Sequence, residues 1–192
     1  MLKPLRLVAK VFRILVNRLR TQGLRHTLIW LYARGMPLIT GVPLLKYSQV
    51  TPQIFVGPQY RRAGKRTLET AGIHYNVNMR IEYDDAAHGL ALQHYCHVPT
   101  IDDTAPTLEQ LERGVTFIEQ AIAADGKVYI HCAGGIGRAP SMAAAYFISQ
   151  GIALEHAIAM IKQARPFVRF MPSQLDQLQR WAHEVNARKN AG

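Results

Sequence analysis

From residue 47 onward, short apolar runs alternate with longer stretches whose apolar positions recur at helical spacing. The run QIFVG at 53–57 is short, rich in strand formers and closed by glycine, which predicts a strand. Residues 61–71 predict a helix stopped by Gly72. Two more strands are predicted over 74–79 and 93–98, the second ended by Pro99. A helix opens near Pro106, where Thr107 and Gln110 have the spacing of a capping box. Its Leu108, Leu111, Val115, Ile118 and Ile122 fall on one face. Residues 127–130 predict a buried strand, and helices follow over 140–150, 154–165 and 173–187. Gly151 and Pro166 supply two of the stops, and Ser173 and Asp176 stand at cap spacing. Strands alternating with helices predict an α/β fold, a central, largely parallel sheet of roughly four or five strands with helices on both faces.

The first 46 residues follow a different pattern. In 3–20, Leu5, Val8, Phe12, Leu15, Val16 and Leu19 recur at helical spacing, and Arg6, Lys10, Arg13, Asn17 and Arg20 keep that rhythm on another face. Such a basic amphipathic helix either lies in a membrane interface or docks on its own domain with the basic face in solvent. Arginines interrupt it too often for a secretory leader. Residues 27–45 are apolar, but Arg34 splits them and Gly35, Pro37, Gly41 and Pro43 break them. Neither uncharged piece reaches the ~18 residues needed to cross a bilayer. The expected division is a segment 1–46, a domain 47–187 and a short tail 188–192.

Composition sharpens this division. The 192 residues suit one domain with spare length, and 48% hydrophobic residues suffice to fill a core. Two cysteines build no disulfide framework, which suits a reducing, cytoplasmic compartment. The formal charge of +10 is unevenly spread: residues 1–68 hold 13 Lys+Arg and no acid, whereas the remainder carries 10 bases against 13 acids. The basic end points to an anionic surface as partner, and a peripheral place on the inner membrane face is expected. Nucleic acid ranks last, because no recognition motif and no interleaved aromatics accompany the charge.

The candidate chemistry lies in YIHCAGGIGR, residues 129–138. A buried strand ends in His131-Cys132, a glycine-rich loop follows, and Arg138 leads into a helix. Loop amides and a helix N-terminus converge there on one point, which makes an anion site. Gly134, Gly135 and Gly137 permit a tight turn, and Arg138 offers a planar fork for phosphate oxygens. In that electropositive cup the thiolate of Cys132 is favoured and is placed to attack phosphorus.

HCAGGIGR resembles the His-Cys-x-x-Gly-x-x-Arg signature of the cysteine-based protein tyrosine phosphatase superfamily, and residues 47–185 are similar to its dual-specificity branch. YSQVTPQIFVG is similar to that family's entry strand, and Ala164-Arg165-Pro166 with Pro172-Ser173-Gln174-Leu175 to its closing helices. The resemblance implies a metal-independent phosphatase without cofactor, working through a cysteinyl-phosphate. It assigns Cys132 as nucleophile, and Ala133, Gly134, Gly135, Ile136, Gly137 and Arg138 as the phosphate site. It also implies an aspartate acid ahead of the cysteine. In VPTIDDTAPT the family pattern favours Asp102, with Asp103 as the second candidate. His131 is expected to orient the loop. Ala139 departs from the family's Ser or Thr, so breakdown of the phospho-enzyme is expected to be slow unless Ser141 substitutes.

The neutral side chains at 133–137 favour phosphoprotein or simple phosphomonoester substrates. The stretch 107–115 and the closing PSQL are similar to mitochondrial-type phosphatidylglycerophosphate phosphatases, which keeps phospholipid as the alternative. A phosphate-binding adaptor with weak catalysis is the remaining one. Cys96 is expected in the core. His88, His94 and His97 form no clean metal-ligand set. Arg165 and Arg169 either flank the cup or are surface charges.

Overall fold

The structure, a computed structural model, describes residues 47–191 together with Gly23, Leu24, Thr27 and Leu28. The expected amphipathic helix over 3–20 lies outside the described residues. Among the described residues no helix is long and apolar enough to cross a membrane.

The chain runs through β1 (Ser48–Gln49), β2 (Ile54–Gly57), α1 (Arg62–Thr70), β3 (Ile73–Arg80), a 3-10 turn at Ala86–His88, and β4 (His94–Thr100). It continues through α2 (Leu108–Ala123), β5 (Lys127–His131), α3 (Arg138–Ser149), α4 (Leu154–Ala164) and α5 (Pro172–Ala191). The five strands form one sheet in the order β1-β2-β5-β3-β4. β2, β5, β3 and β4 pair in parallel and β1 adds an antiparallel edge. The expected largely parallel sheet is thus present, with β5 at its centre.

Alternation along the strands builds two cores. Ile54, Val56, Val77, Met79, Val128 and Ile130 point to one face, where α2 and α3 cover them and α4 and α5 pack in turn on α3. Phe55, Ile73 and Tyr129 point to the other, under α1 and the segment that carries Leu90 and Leu92. α3 is buried nearly throughout, from Arg138 to Ile148. Its alanines 143–145 let the sheet and the neighbouring helices approach closely, and Trp181 of α5 donates its indole N–H to the Ala145 carbonyl at 2.9 Å.

Three boundaries differ by two residues or more from the sequence reading, each for a local reason. β4 continues through Pro99 to Thr100, because it is an edge strand and a missing N–H is tolerated there. α3 begins at Arg138, two residues early, since Pro140 sits in the first turn, where no intrahelical N–H is needed. α5 runs on to Ala191, and Arg188 pairs with Glu112 of α2 and with Glu184 one turn back. The capping box of α2 forms as read: Thr107 Oγ1 accepts from the Gln110 N–H at 3.1 Å, and Gln110 Oε1 accepts from the Thr107 N–H at 2.9 Å.

Candidate active site

The carboxyl ends of β5, β3 and β4 deliver three segments to one point: the loop 132–137, the segment 81–85, and the turn 101–104. Ligand sites in open α/β sheets form at such strand ends.

The loop after β5 is held from outside. The Ala133 carbonyl accepts from the Gln59 N–H at 3.3 Å, and the Ile136 carbonyl from the Arg169 N–H at 3.0 Å. Between them, Gly134 and Gly135 present their carbonyls to Arg165, whose Nη2 and Nε donate at 3.0 Å and 2.6 Å. The Gly137 carbonyl accepts from both the N–H and the hydroxyl of Ser141 at 3.0 Å. Five successive carbonyls are therefore engaged. In trans peptides the N–H points opposite the carbonyl, so the loop amides turn toward the interior of the cup. Gly135 has φ of +63°, and an added Cβ would collide with the Gly57 carbonyl, so glycine is required there twice over.

Arg165 is fully buried, which settles its alternatives: it is neither a surface charge nor open to an incoming ligand, but holds the loop. Burial pulls its guanidinium down to about 10, against the opposing pull of the Tyr129 and Cys132 charges. Its Nη1 also reaches Ser48 Oγ at 3.3 Å.

Cys132 lies on the floor, 3% exposed, and its Sγ accepts from the Gly135 N–H at 3.2 Å. Beneath it, His131 Nε2 is 2.8 Å from Asp85 Oδ2, both groups fully buried. Asp85 also accepts from Gln59 at 2.8 Å and Asn76 at 3.2 Å. Burial works against this carboxylate, but the charge and hydrogen bond of His131, then Gln59 and Arg80, outweigh it and hold the group below the usual range. The imidazole packs between Tyr60 and Tyr129, with centroids 5.2 Å and 5.5 Å away. His131 is thus fixed by both hydrogen bond and packing, as a loop-orienting residue needs to be.

Arg138 is buried and its N–H groups can be accounted for one by one. Nη1 donates to Glu82 Oε2 at 2.9 Å and to the Thr100 carbonyl at 2.8 Å, with the Met79 carbonyl also in reach at 3.4 Å. Nη2 donates to Glu82 Oε1 at 3.0 Å and lies 3.0 Å from Asp102 Oδ1. Among the described residues, none accepts from the buried Nε. Burial opposes the charge, but the hydrogen bonds to Glu82, then the Cys132 and Asp102 charges, outweigh it and hold the guanidinium firmly protonated. Glu82 is likewise driven down to about 2: burial raises it, and the hydrogen bond from Arg138 overcomes burial.

Asp102 therefore sits on the arginine. Asp103 takes the turn, with φ of +62°, and the Thr104 N–H closes onto the Ile101 carbonyl at 3.2 Å. Gln174 of α5 donates to the Thr104 carbonyl at 3.0 Å and ties this turn to the far helix. Ala139 is fully buried and offers only a methyl group. The Ser141 hydroxyl is committed to Gly137.

The structure thus brings together His131, Cys132, the loop 133–137, Arg138 and Asp102. Glu82, Asp85, Gln174 and the loop-holding role of Arg165 escaped the sequence reading. Glu82 and Asp85 fall in 81–92, a segment with no periodic pattern, and the only available signal was its place after a predicted strand. Cys96 is buried on β4, two strands from β5, so strand spacing keeps it roughly 10 Å or more from Cys132. His88, His94 and His97 disperse: His88 stacks on Tyr83, His94 on Tyr75, and His97 reaches the Arg80 carbonyl at 2.7 Å.

Comparison with known proteins agrees with this geometry. Residues 54–184 match the model of the dual specificity phosphatase catalytic domain. Dual specificity phosphatase 28 of Homo sapiens is 30% identical over 157 residues, covering 80% of this chain and 86% of that protein. Phosphatidylglycerophosphatase and protein-tyrosine phosphatase 1 of Homo sapiens is 28% identical over 152 residues, covering 74% and 76%. Among solved structures, PTPMT1 in complex with PI(5)P superposes with a TM-score of 0.69 at 26% identity, covering 74% of this chain and 98% of that one. Human DUSP28 superposes with a TM-score of 0.66 at 27% identity, covering 73% and 99%. The chain belongs to the dual-specificity phosphatase family and is a cysteine-dependent phosphatase of the protein tyrosine phosphatase superfamily.

Proposed function

We propose that this phosphatase hydrolyses phosphomonoesters of proteins, at tyrosine, serine or threonine, with Cys132 as nucleophile and Asp102 as acid and base. The observation that carries the assignment is the buried Cys132 sulfur at the floor of a loop whose carbonyls are all engaged outside it. The Nε–H of Arg138 and the inner amides of 133–138 take the phosphoryl oxygens, whose charge they stabilise through the transition state. Phosphate competes with Asp102 for the Nη2 side of the guanidinium, so substrate entry releases the carboxyl that the leaving oxygen then needs.

In the first step the thiolate forms the S–P bond as the P–O bond to the leaving group breaks. That oxygen takes the electron pair and the proton of Asp102. In the second, water attacks phosphorus and gives its proton to the Asp102 carboxylate. The S–P bond breaks, regenerating the thiolate and releasing inorganic phosphate. The positive charge comes from Arg138 and the amides, so the reaction proceeds in excess EDTA. Hydrolysis of an aryl phosphate by wild type in EDTA, and its loss in Cys132→Ser, is the expected result. Equal turnover by both proteins defeats the assignment.

A second reading, phospholipid phosphomonoesterase, draws on the likeness to PTPMT1 with PI(5)P and on the basic first 46 residues. Membrane attachment belongs to either reading: residues 1–46 hold the enzyme peripherally on the inner face of a membrane, on the cytoplasmic side. Sedimentation of the full chain with anionic vesicles at low salt tests this, and failure to sediment removes it.

A further inference from the structure

Gln174 carries a buried amide to a point where three parts of the site meet. It is the third residue of α5 and is 1% exposed, so the protein rather than water has to satisfy the amide. Its Oε1 accepts from the Met171 N–H at 3.0 Å, which satisfies a donor at the start of the helix. Its Nε2 donates to the Thr104 carbonyl at 3.0 Å, across 70 residues of chain. A Cβ built on Gly137 would stand 3.3 Å from that Nε2 and 3.4 Å from that Oε1. The amide therefore also lies against the last glycine of the phosphate loop, immediately before Arg138.

The two bonds have different tasks. With Oε1 committed to the helix start, Nε2 is turned toward the turn 101–104. That turn is exposed from Ile101 to Thr104. Its internal bonds run from the Thr104 N–H and hydroxyl to the Ile101 carbonyl, at 3.2 Å and 2.9 Å, and give it shape rather than place. Place comes from ties to the rest of the molecule. At the front, Arg138 meets Asp102 Oδ1 and the Thr100 carbonyl. At the back, Gln174 holds Thr104. Phosphate entering the cup competes for the guanidinium edge that Asp102 occupies. The Gln174 bond is buried and committed to Thr104, so it persists through that exchange. The carboxyl that leaves the guanidinium then rides on a turn still held two residues away.

We propose that Gln174 is a positioning residue for the acid: by fixing Thr104 against α5 and the end of the phosphate loop, it sets where the Asp102 carboxyl stands relative to the leaving oxygen. This rests on the assignment of Asp102 as acid. Gln174 acts through the turn and not on the sulfur, so its effect appears where the leaving group needs a proton.

The test uses the full chain with a nitrophenyl phosphate and an alkyl phosphate, compared by kcat/KM, which reports formation of the cysteinyl-phosphate and not its breakdown. Gln174→Met keeps the reach of the side chain and removes both hydrogen bonds. Gln174→Glu keeps an acceptor for the Met171 N–H and removes the amide donor. Both are expected to lose about 10-fold on the alkyl ester and less than about 2-fold on the nitrophenyl ester, the pattern of a misplaced acid. Nitrophenyl turnover also shows that each variant is folded with its phosphate loop intact. In an Asp102→Asn background the same substitutions are expected to cost less than about 2-fold on either ester, because residues acting through one group are not additive. Equal losses on the two esters would mean that Gln174 shapes the phosphate loop through Gly137, and overturn the proposal. A loss in Gln174→Met that Gln174→Glu does not share, a loss undiminished in Asp102→Asn, or full alkyl phosphate activity in both variants also overturns it. A different failure shows in Asp102→Asn alone: if its own losses are equal on the two esters, the acid assignment falls and takes the proposal with it.

Discussion

The two walls of the cup are built in opposite ways. On one side, 132–138 has its carbonyls from Ala133 to Ile136 engaged by other segments and that of Gly137 by Ser141 of α3, and its main fastener, Arg165, is fully buried. On the other, the strand ends after Arg80 and Thr100 present the half-exposed carboxylates Glu82 and Asp102 to Arg138. The difference follows from what each wall has to do. Binding a phosphoryl group needs donors whose positions are fixed before the substrate arrives, since reorganising them costs transition-state stabilisation. The proposed acid and base, Asp102, has to change partners twice per turnover, which an exposed carboxylate does at little desolvation cost. Arg138 stands between the walls and is shared by both.

The comparison breaks most severely at the fixed wall. Arg165→Met removes the side-chain hydrogen bonds to the Gly134 and Gly135 carbonyls and to Ser48 Oγ, and leaves those two carbonyls without that donor. A fall in kcat/KM of about 10²- to 10³-fold is expected, with a stability loss of about 2–3 kcal/mol in denaturant titration. Activity that survives with only stability lost would mean the loop keeps its shape without Arg165.

At the exposed wall, Asp102→Asn is expected to lower kcat by about 10²-fold toward an alkyl phosphate and much less toward a nitrophenyl phosphate, whose leaving group needs no proton. A uniform loss across leaving groups would point to a binding role. The companion variant Asp103→Asn should change kcat by less than about 3-fold for either ester, because Asp103 serves the turn.

Glu82→Gln tests the shared arginine. Its loss of charge should raise KM for phosphate esters by about 10-fold with a smaller change in kcat. The pH dependence has a definite sign. The Glu82 carboxyl is lowered from an ordinary 4.5 to about 2 in the folded protein, so its ionised form stabilises the native state above the ordinary value. That contribution fades as pH falls through this window toward about 2. The stability gap between wild type and Glu82→Gln should be constant at neutral pH and narrow on acidification. A gap that widens would contradict the pairing.

The smallest effect concerns Ala139→Ser. The methyl of Ala139 cannot hydrogen-bond the departing sulfur, and the Ser141 hydroxyl is held by Gly137. Wild type should show a rapid-quench burst of leaving group, and the serine variant a smaller burst with kcat raised about 2- to 5-fold. Absence of a burst in wild type would show that breakdown of the phospho-enzyme is not slow.

The fixed wall was legible because its parts are contiguous. His131, Cys132, three glycines and Arg138 lie within eight residues between a buried strand and a helix, so local rules are enough to assemble them. The sheet was legible for a related reason: β2 and β5 are short, mainly apolar runs, and β3 and β4 are short segments that mix apolar with polar positions. The other wall was only half readable. Asp102 and Asp103 could both be read as candidates because they follow a predicted strand and precede a capped helix, and the family resemblance favoured Asp102. Glu82, 56 residues from Arg138 in sequence, and Asp85, bound to His131, are joined to the loop by strand order alone. Arg165 was ambiguous because nothing in ARPF tells whether a guanidinium points to solvent or to two carbonyls thirty residues away.

The central claim is that phosphate passes through the Cys132 sulfur. Acid quenching of wild-type turnover on an aryl phosphate, followed by proteolysis and mass spectrometry, addresses it directly. The account predicts a phosphorylated peptide containing Cys132, with greater occupancy in the presence of excess substrate and none in Cys132→Ser. Phosphate recovered on another residue, or steady turnover with no phosphorylated Cys132 at any quench time, would contradict it.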